Sequence, residues 1–457
     1  MSSPQSTSPS QRRWYRDRRI LAWASYDFAN TPFVVLVATV GYATYFKDVV
    51  AGGSRSGDFL WGLAGSISMV VVALTAPSTG AYADTAGAKR RLLIVYTAVA
   101  VLSTALLATV GKGMIVQGML FFILANVAFQ GGQVFYNAFL PEVAADRELG
   151  AVSGLGFAAG YVGALVGLVA ALPFFWNGFE EGNLRNIKLL FLVVAFFWAV
   201  CSLPAFMLLR DAPRPRSAAM PVDRAAATAA TARRGGPAGA LIRLREDTLA
   251  FRRGNRNVFR YLIAYLLYMD AITTLTAFTA IYARDTIGLT LPLIISLYVI
   301  SQVTAIPGSY LLGRFADRTG PKLTITGCLA LWVVIMVLGV FARNYATFVF
   351  IALLAGAATG SLQAVSRSMM AQLSPRDREG EFFGFYALVG RVSAIIGPLL
   401  FGAVSSITGN QRLAVASLIA LILVGLYLIQ GVRVAPPGTP REGSVGQAET
   451  RSGGAAA

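Results

Sequence analysis

The chain has 457 residues, of which 56% are hydrophobic and 13% charged, and its mean hydropathy is +0.61, values that exclude an ordinary soluble domain. Its formal net charge is +17, but the basic residues sit in loops and tails beside apolar runs, which points to anionic lipid rather than nucleic acid. There is no histidine, and Cys201 and Cys328 stand alone in separate apolar runs, so neither a zinc-type site nor a disulfide is offered and no metal or cofactor is expected.

Runs long enough to cross a hydrocarbon core of about 30 Å as helices lie at 20–46, 60–83, 92–110, 114–139, 151–175, 188–209, 259–283, 291–315, 323–341, 345–370, 382–407 and 412–432. They lack the period-two alternation of a barrel strand, so twelve helical spans are expected. The first follows the basic stretch Arg12 to Arg19, which resembles the start of a secretory signal. That run is too long for a signal core, contains Asp27 and Asn30 and has no small-residue cleavage site, so it is read as a retained span. Of the 39 lysines and arginines, 29 fall on the side shared by both termini, 8 on the other, and 2 (Arg367 and Arg391) within spans. Both termini are therefore expected in the cytoplasm, and the chain in the cell (inner) membrane as a multi-pass monomer.

The order of motifs repeats. "GAYADTAGAKRR" begins at Gly80 after span 2 and "GRFADRTGPK" at Gly313 after span 8, so the pairs Gly80/Gly313, Asp84/Asp317, Gly87/Gly320 and Lys89/Lys322 share an offset of 233. Gly154, Gly160 and Gly167 match Gly384, Gly390 and Gly397 at an offset of 230. This is a duplicated six-helix unit, and the fold class is an all-α polytopic membrane protein of two pseudo-symmetric six-helix bundles. The organisation read from this is a basic tail over 1–19, bundles over 20–209 and 257–433, a cytoplasmic linker over 210–256 and a tail over 434–457; the linker and tails, rich in Ala, Arg, Pro and Gly, are expected to lack packed structure.

A duplicated twelve-span chain with G-x-x-x-D-x-x-G-x-K after spans 2 and 8 resembles the major facilitator superfamily. Within it, "WASYDFAN" (23–30), "VFYNAFLPEV" (134–143) and the stretch 363–398 resemble the vacuole-effluxer-like branch, which includes autophagy-related vacuolar amino-acid exporters. The resemblance implies that the first loop motif acts as a latch holding one conformer closed, and that spans 1, 4, 7 and 10 line a central cavity with 5 and 11 beside them. The latch set is then Gly80, Asp84, Gly87, Lys89 and Arg90 with Gly313, Asp317, Gly320 and Lys322. Gly80 and Gly313 would allow close helix approach, and each aspartate would meet the positive N-terminal end of a helix in the neighbouring pair: Asp84 near Phe382, Asp317 near Gly150. The alternative for Lys89, Arg90 and Arg91 is that they are topology determinants only.

Charges within a span usually face a cavity or a partner. Asp27, Asp270 and Arg391 are expected at similar depth from the terminal face and are read as converging, the aspartates as proton-coupling candidates and Arg391 as a grip for a carboxylate or phosphate. A permanent ion pair between Arg391 and one aspartate is the alternative. Arg367, in "SRS", reads as a gate or interface residue. Asn30, Gln130, Gln133, Asn137, Gln302 and Gln363 supply amides; Gln130, Gln133 and Asn137 step by three and four along one helix face, which suits a polar solute or interhelical hydrogen bonds.

The expected function is a secondary active transporter, proton-coupled and alternating in access, that exports or exchanges a small polar or zwitterionic solute such as an amino acid. A lysophospholipid or amphiphile transporter is the alternative and a transport-dead sensor a weaker one. No nucleophile and base pair, metal cluster or nucleotide loop is evident, so an enzyme is not expected.

Overall fold

A computed structural model describes residues 17–434 except 40, 54, 176–178, 212–245, 247, 286–287, 290 and 394–395. The regular elements are nearly all helical: α1 (Arg18–Phe33), α2 (Gly41–Tyr45), α3 (Arg55–Ala86), α4 (Lys89–Leu106), α5 (Ile115–Ala138), α6 (Leu140–Val143), α7 (Leu149–Phe175), α8 (Leu184–Leu208), α9 (Arg256–Asp285), α10 (Leu291–Thr319), α11 (Pro321–Phe341), α12 (Tyr345–Leu373), α13 (Glu379–Val392), α14 (Ile396–Thr408) and α15 (Gln411–Gln430). Among the described residues ten helices are long and apolar enough to cross a membrane, the first running Arg18–Val50. The other two expected spans are α10 and the pair α13 and α14.

Each half packs into its own bundle. α1 lies against α7 and α8, and α5 against α3 and α4; in the second half α10 lies against α12 and α9 against α15. Across the halves, α3 packs on α13 and α10 on α7, with α12 and α5 beside them. At the end away from the termini, Tyr42, Tyr45, Phe46, Phe122, Phe191 and Trp198 form an aromatic core that belongs to the first half alone.

Two departures from the expected spans have local causes. Span 1 is widened: π-helical turns over Val34–Thr39 follow Pro32, whose missing N–H and bulky ring disturb the regular ladder. Span 11, expected as one helix over 382–407, is described as two, α13 ending at Val392 and α14 starting at Ile396, with Pro398 in the first turn of α14, where its missing N–H leaves no helical hydrogen bond unmade. The Gly397 N–H then lacks a helical acceptor, and a backbone donor in a membrane must find one. It donates to Asp270 Oδ2 at 2.6 Å.

Residues 212–245 of the expected linker lie outside the described residues, as do both tails beyond 17–434. Packed structure nevertheless reaches back before α9. Residues 248–254 are helical, and Phe251, 3% exposed, meets the rings of Phe382 and Phe385 at centroid distances of 4.9 and 4.2 Å.

Candidate functional site

The face carrying both chain ends is closed by two related crossings. At one, Asp84 Oδ2 accepts from the backbone N–H of Glu381 at 2.8 Å, in the first turn of α13. At the other, Asp317 accepts from Gly150 N at 2.6 Å and Ala151 N at 2.7 Å, in the first turn of α7. A helix N-terminus has unpaired N–H groups and the positive end of its dipole, so a carboxylate satisfies both at once. The crossings need bare backbone: a Cβ on Gly80 would collide with the Gly380 carbonyl, and one on Gly313 with that of Gly150. Gly87 and Gly320, with φ of 59° and 92°, serve differently, turning the chain in the left-handed region where a side chain is strained.

The basic residues of the two motifs diverge. Lys89 is only 2% exposed and lies among three carboxylates, Glu379 at 2.6 Å, Glu142 at 2.8 Å and Asp84 at 3.5 Å, so it joins both halves. A buried lysine needs such company, because an uncompensated charge there would cost several kcal/mol. Arg90 is tied within its own half, its Nε donating to Phe206 O and its N–H to Asp211 Oδ1. Lys322 donates to the carbonyls of Gln430 and Val432 at the end of α15.

Further from that face, α12 presents Arg367 to the first half. Its Nη1 donates to Asp27 Oδ2 at 3.1 Å and Asn137 Oδ1 at 3.2 Å, its Nε to Ser153 Oγ at 2.9 Å and its Nη2 to Ser153 O at 2.7 Å. The same carboxylate oxygen accepts from Tyr136 OH at 2.8 Å. The guanidinium lies 4.1 Å from the Phe157 ring centroid and 4.8 Å from that of Trp23, so aromatic faces complete its surroundings. Space for it exists because residue 156 is glycine: a Cβ there would stand 2.8 Å from Arg367 Nη2. Asp27 and Arg367 are thus a buried ion pair between the halves.

The remaining polar residues do not share one place. Arg391, half-buried on α13, donates through Nη2 to Gln130 Oε1 across the bundles, and its buried Nε has no partner among the described residues. No carboxylate among the described residues lies within ion-pair distance of it, so the expected convergence of Arg391 with Asp27 and Asp270 is replaced by the Arg367 pairing. Asp270 is fully buried; one oxygen holds Gly397 N and the other, like Thr274 Oγ1, has no partner among the described residues. Between α9 and α12 lies a cavity of about 290 Å³ lined by Met269, Ile272, Thr273, Thr276, Thr359, Leu362 and Gln363. Gln363 accepts from Tyr161 OH at 2.8 Å across its edge. Gln133 Oε1 is buried without a partner among the described residues, and Gln302 is half-buried. Asn30 is turned back on its own helix, donating to Tyr26 O.

A family model described as "Vacuole effluxer Atg22 like" matches residues 60–436. The chain belongs to that family. Among its relatives, the uncharacterized MFS-type transporter YxiO of Bacillus subtilis is 27% identical over 417 residues, covering 89% of this chain and 93% of that one. Autophagy-related protein 22 of Saccharomyces cerevisiae is 24% identical, covering 75% of this chain and 71% of the relative. Two solved structures share the fold: the human organic anion transporter MFSD10, with a TM-score of 0.66 at 19% identity over 93% of this chain and all of its own, and the proton:xylose symporter XylE, with 0.69 at 12% over 92% and 97%. This Atg22-like chain is a multi-pass membrane transporter, and its two six-helix bundles are the major facilitator fold.

Proposed function

We propose that the chain is a secondary active transporter working by alternating access, which exports or exchanges a small polar or zwitterionic solute such as an amino acid under proton coupling. The single observation that carries this is Arg391: a guanidinium at the junction of the bundles, hydrogen-bonded to an amide of the opposite half, with Nε free and no carboxylate partner among the described residues. A substrate carboxylate supplies the missing acceptor, since a guanidinium grips a carboxylate through two parallel hydrogen bonds. The hydroxyl and amide lining of the cavity between α9 and α12 suits the polar remainder of such a solute.

The aspartates take different parts. Asp27 is engaged as counter-ion to Arg367, so its part is in holding the terminal face closed. Asp270 keeps an oxygen without a partner among the described residues and can take up a proton without breaking a described ion pair, which makes it the coupling carboxylate. The excess of lysine and arginine on the terminal side supports a cytoplasmic position for the closed face, and on that reading this conformer is the one closed to the cytoplasm.

Reconstituted vesicles with and without an imposed pH gradient test the reading. Asp270→Asn should abolish gradient-driven accumulation yet retain exchange, because exchange needs reorientation of the loaded carrier but no proton release. Arg391→Ala should weaken binding of zwitterionic cargo, read as a smaller ligand-induced rise in melting temperature in a screen of amino acids, peptides and lysolipids. Full accumulation by Asp270→Asn rejects the coupling site, and stabilisation by lysolipid alone rejects the amino-acid-like cargo.

A further inference from the structure

The segment from residue 248 to the first turns of α9 carries a charged hollow that transport does not use. Phe251 anchors it inward on Phe382 and Phe385. Given helical spacing, that anchor turns Leu249, Arg252, Arg253, Arg256, Phe259 and Arg260 to one outer side, where they line a depression of about 560 Å³. All four arginines are exposed, and no acidic residue is among those lining it. Arg252 lies 5.6 Å from the Phe259 ring centroid and Arg260 donates to Gly431 O, so two of the guanidiniums are held in place by the fold.

We propose that this hollow is a binding site for the headgroup of an anionic phospholipid, its phosphodiester held by Arg252, Arg253 and Arg256 and its glycerol end against Leu249 and Phe259. Three features carry the assignment. The site lies where a membrane-spanning helix begins, at the level of the bilayer surface rather than in bulk water. Four guanidiniums with no carboxylate among the described residues that line the hollow are a strong field for a phosphate, and each can hold it through two hydrogen bonds. Two apolar side chains share the lining, which fits a ligand that is anionic at one end and greasy at the other. The site is separate from Arg391 and the cavity between α9 and α12, so it stands or falls independently of the transport reading.

The test uses the full chain, purified in detergent and titrated with short-chain phosphatidylglycerol, with phosphatidylcholine of equal chain length, or with inorganic phosphate, with bound ligand counted by native mass spectrometry. Phosphatidylglycerol should bind in preference to phosphatidylcholine. Arg252→Gln/Arg253→Gln should weaken it by about thirtyfold, on the order of fivefold for each charge near a membrane surface. Arg18→Gln/Arg19→Gln, which removes the same charge elsewhere on the same face, should change it little. Should the first double variant fail to fold, Arg253→Gln alone should still give about a fivefold loss. Equal binding of the two lipids, equal losses in the two double variants, or binding of inorganic phosphate as tightly as of the lipid would each overturn the assignment.

Discussion

Asp27→Asn removes one partner of the ion pair between the bundles without changing its size. In the closed conformer Asp27 Oδ2 stands 3.1 Å from Arg367 Nη1, with side chains 8% and 3% exposed, so their attraction at an effective dielectric constant of about 20 is roughly 5 kcal/mol. Asparagine leaves the guanidinium buried without a counter-ion, a loss of about 3–5 kcal/mol in comparable buried pairs. Ser153 Oγ, Ser153 O and Asn137 Oδ1 still accept from Arg367, and the Phe157 face remains, which puts the expected cost near the lower bound. About 3 kcal/mol shifts the balance between closed and open terminal faces by roughly a hundredfold. Spin labels at Arg91→Cys and Arg318→Cys, exposed positions in the two halves, on a background with Cys201 and Cys328 replaced by serine, report that separation directly. We expect the long-distance population to grow in Asp27→Asn and to shrink again when Arg367→Gln is added, because the stranded charge is then gone. An unchanged distance distribution in folded Asp27→Asn, or a double variant that merely adds the two single effects, refutes the reasoning.

Lys89→Met should remove the buried cation that Asp84, Glu142 and Glu379 share, lowering stability by about 3 kcal/mol, visible as a large drop in melting temperature in a thiol- or tryptophan-fluorescence melt. Asp84→Asn should be milder, on the order of 1 kcal/mol, since it removes the charge at the start of α13 and the most distant of the three carboxylates around Lys89, which keeps Glu142 and Glu379; increased labelling of terminal-face cysteines would report it. Gly380→Ala should cost about 1–3 kcal/mol by forcing a methyl against the Gly80 carbonyl, whereas Gly62→Ala and Gly327→Ala, with open space where the Cβ would go, should melt near the parent temperature.

The duplicated architecture was legible because apolar length and motif order are local properties of the chain. The helix-start contacts were nearly so: Asp84 was expected near Phe382 and meets Glu381, one residue away, while Asp317 meets Gly150 and its neighbour Ala151. The choice of counter-ion was not. Counting residues from the membrane surface put Arg391 at the depth of Asp27 and Asp270 and left Arg367 near the terminal end of its span as a gate or interface residue, and depth alone does not say which guanidinium faces Asp27. That depends on the azimuth of α12 and on the space left by Gly156, both fixed by tertiary packing. Lys89 was assigned to the latch by its motif, but its partners were not legible because its carboxylates lie far off in sequence, 53 residues for Glu142 and 290 for Glu379. A signal did exist in the acids "LPEV" and "DREGEF", which stand at corresponding loops of the two halves. The packed turn at residues 248–254 was hidden by its setting, because a single Phe251 in a polar, arginine-rich run looks like linker until its aromatic partners are known.

The crossings at Gly80 on Gly380 and Gly313 on Gly150 are places where main chain rests on main chain. Such a surface has no rotamers to choose among, so two halves that part there leave nothing disordered behind and meet again without a search. Under the alternating access proposed above, an interlocked aromatic core would have to be unpicked and rebuilt in every cycle; bare backbone would behave like the smooth faces of a bearing. Resistance to separation is therefore concentrated in a handful of charges, chiefly Asp27 with Arg367 and Lys89 with its three carboxylates, and anything that neutralises or competes for those charges acts on the whole seam at once.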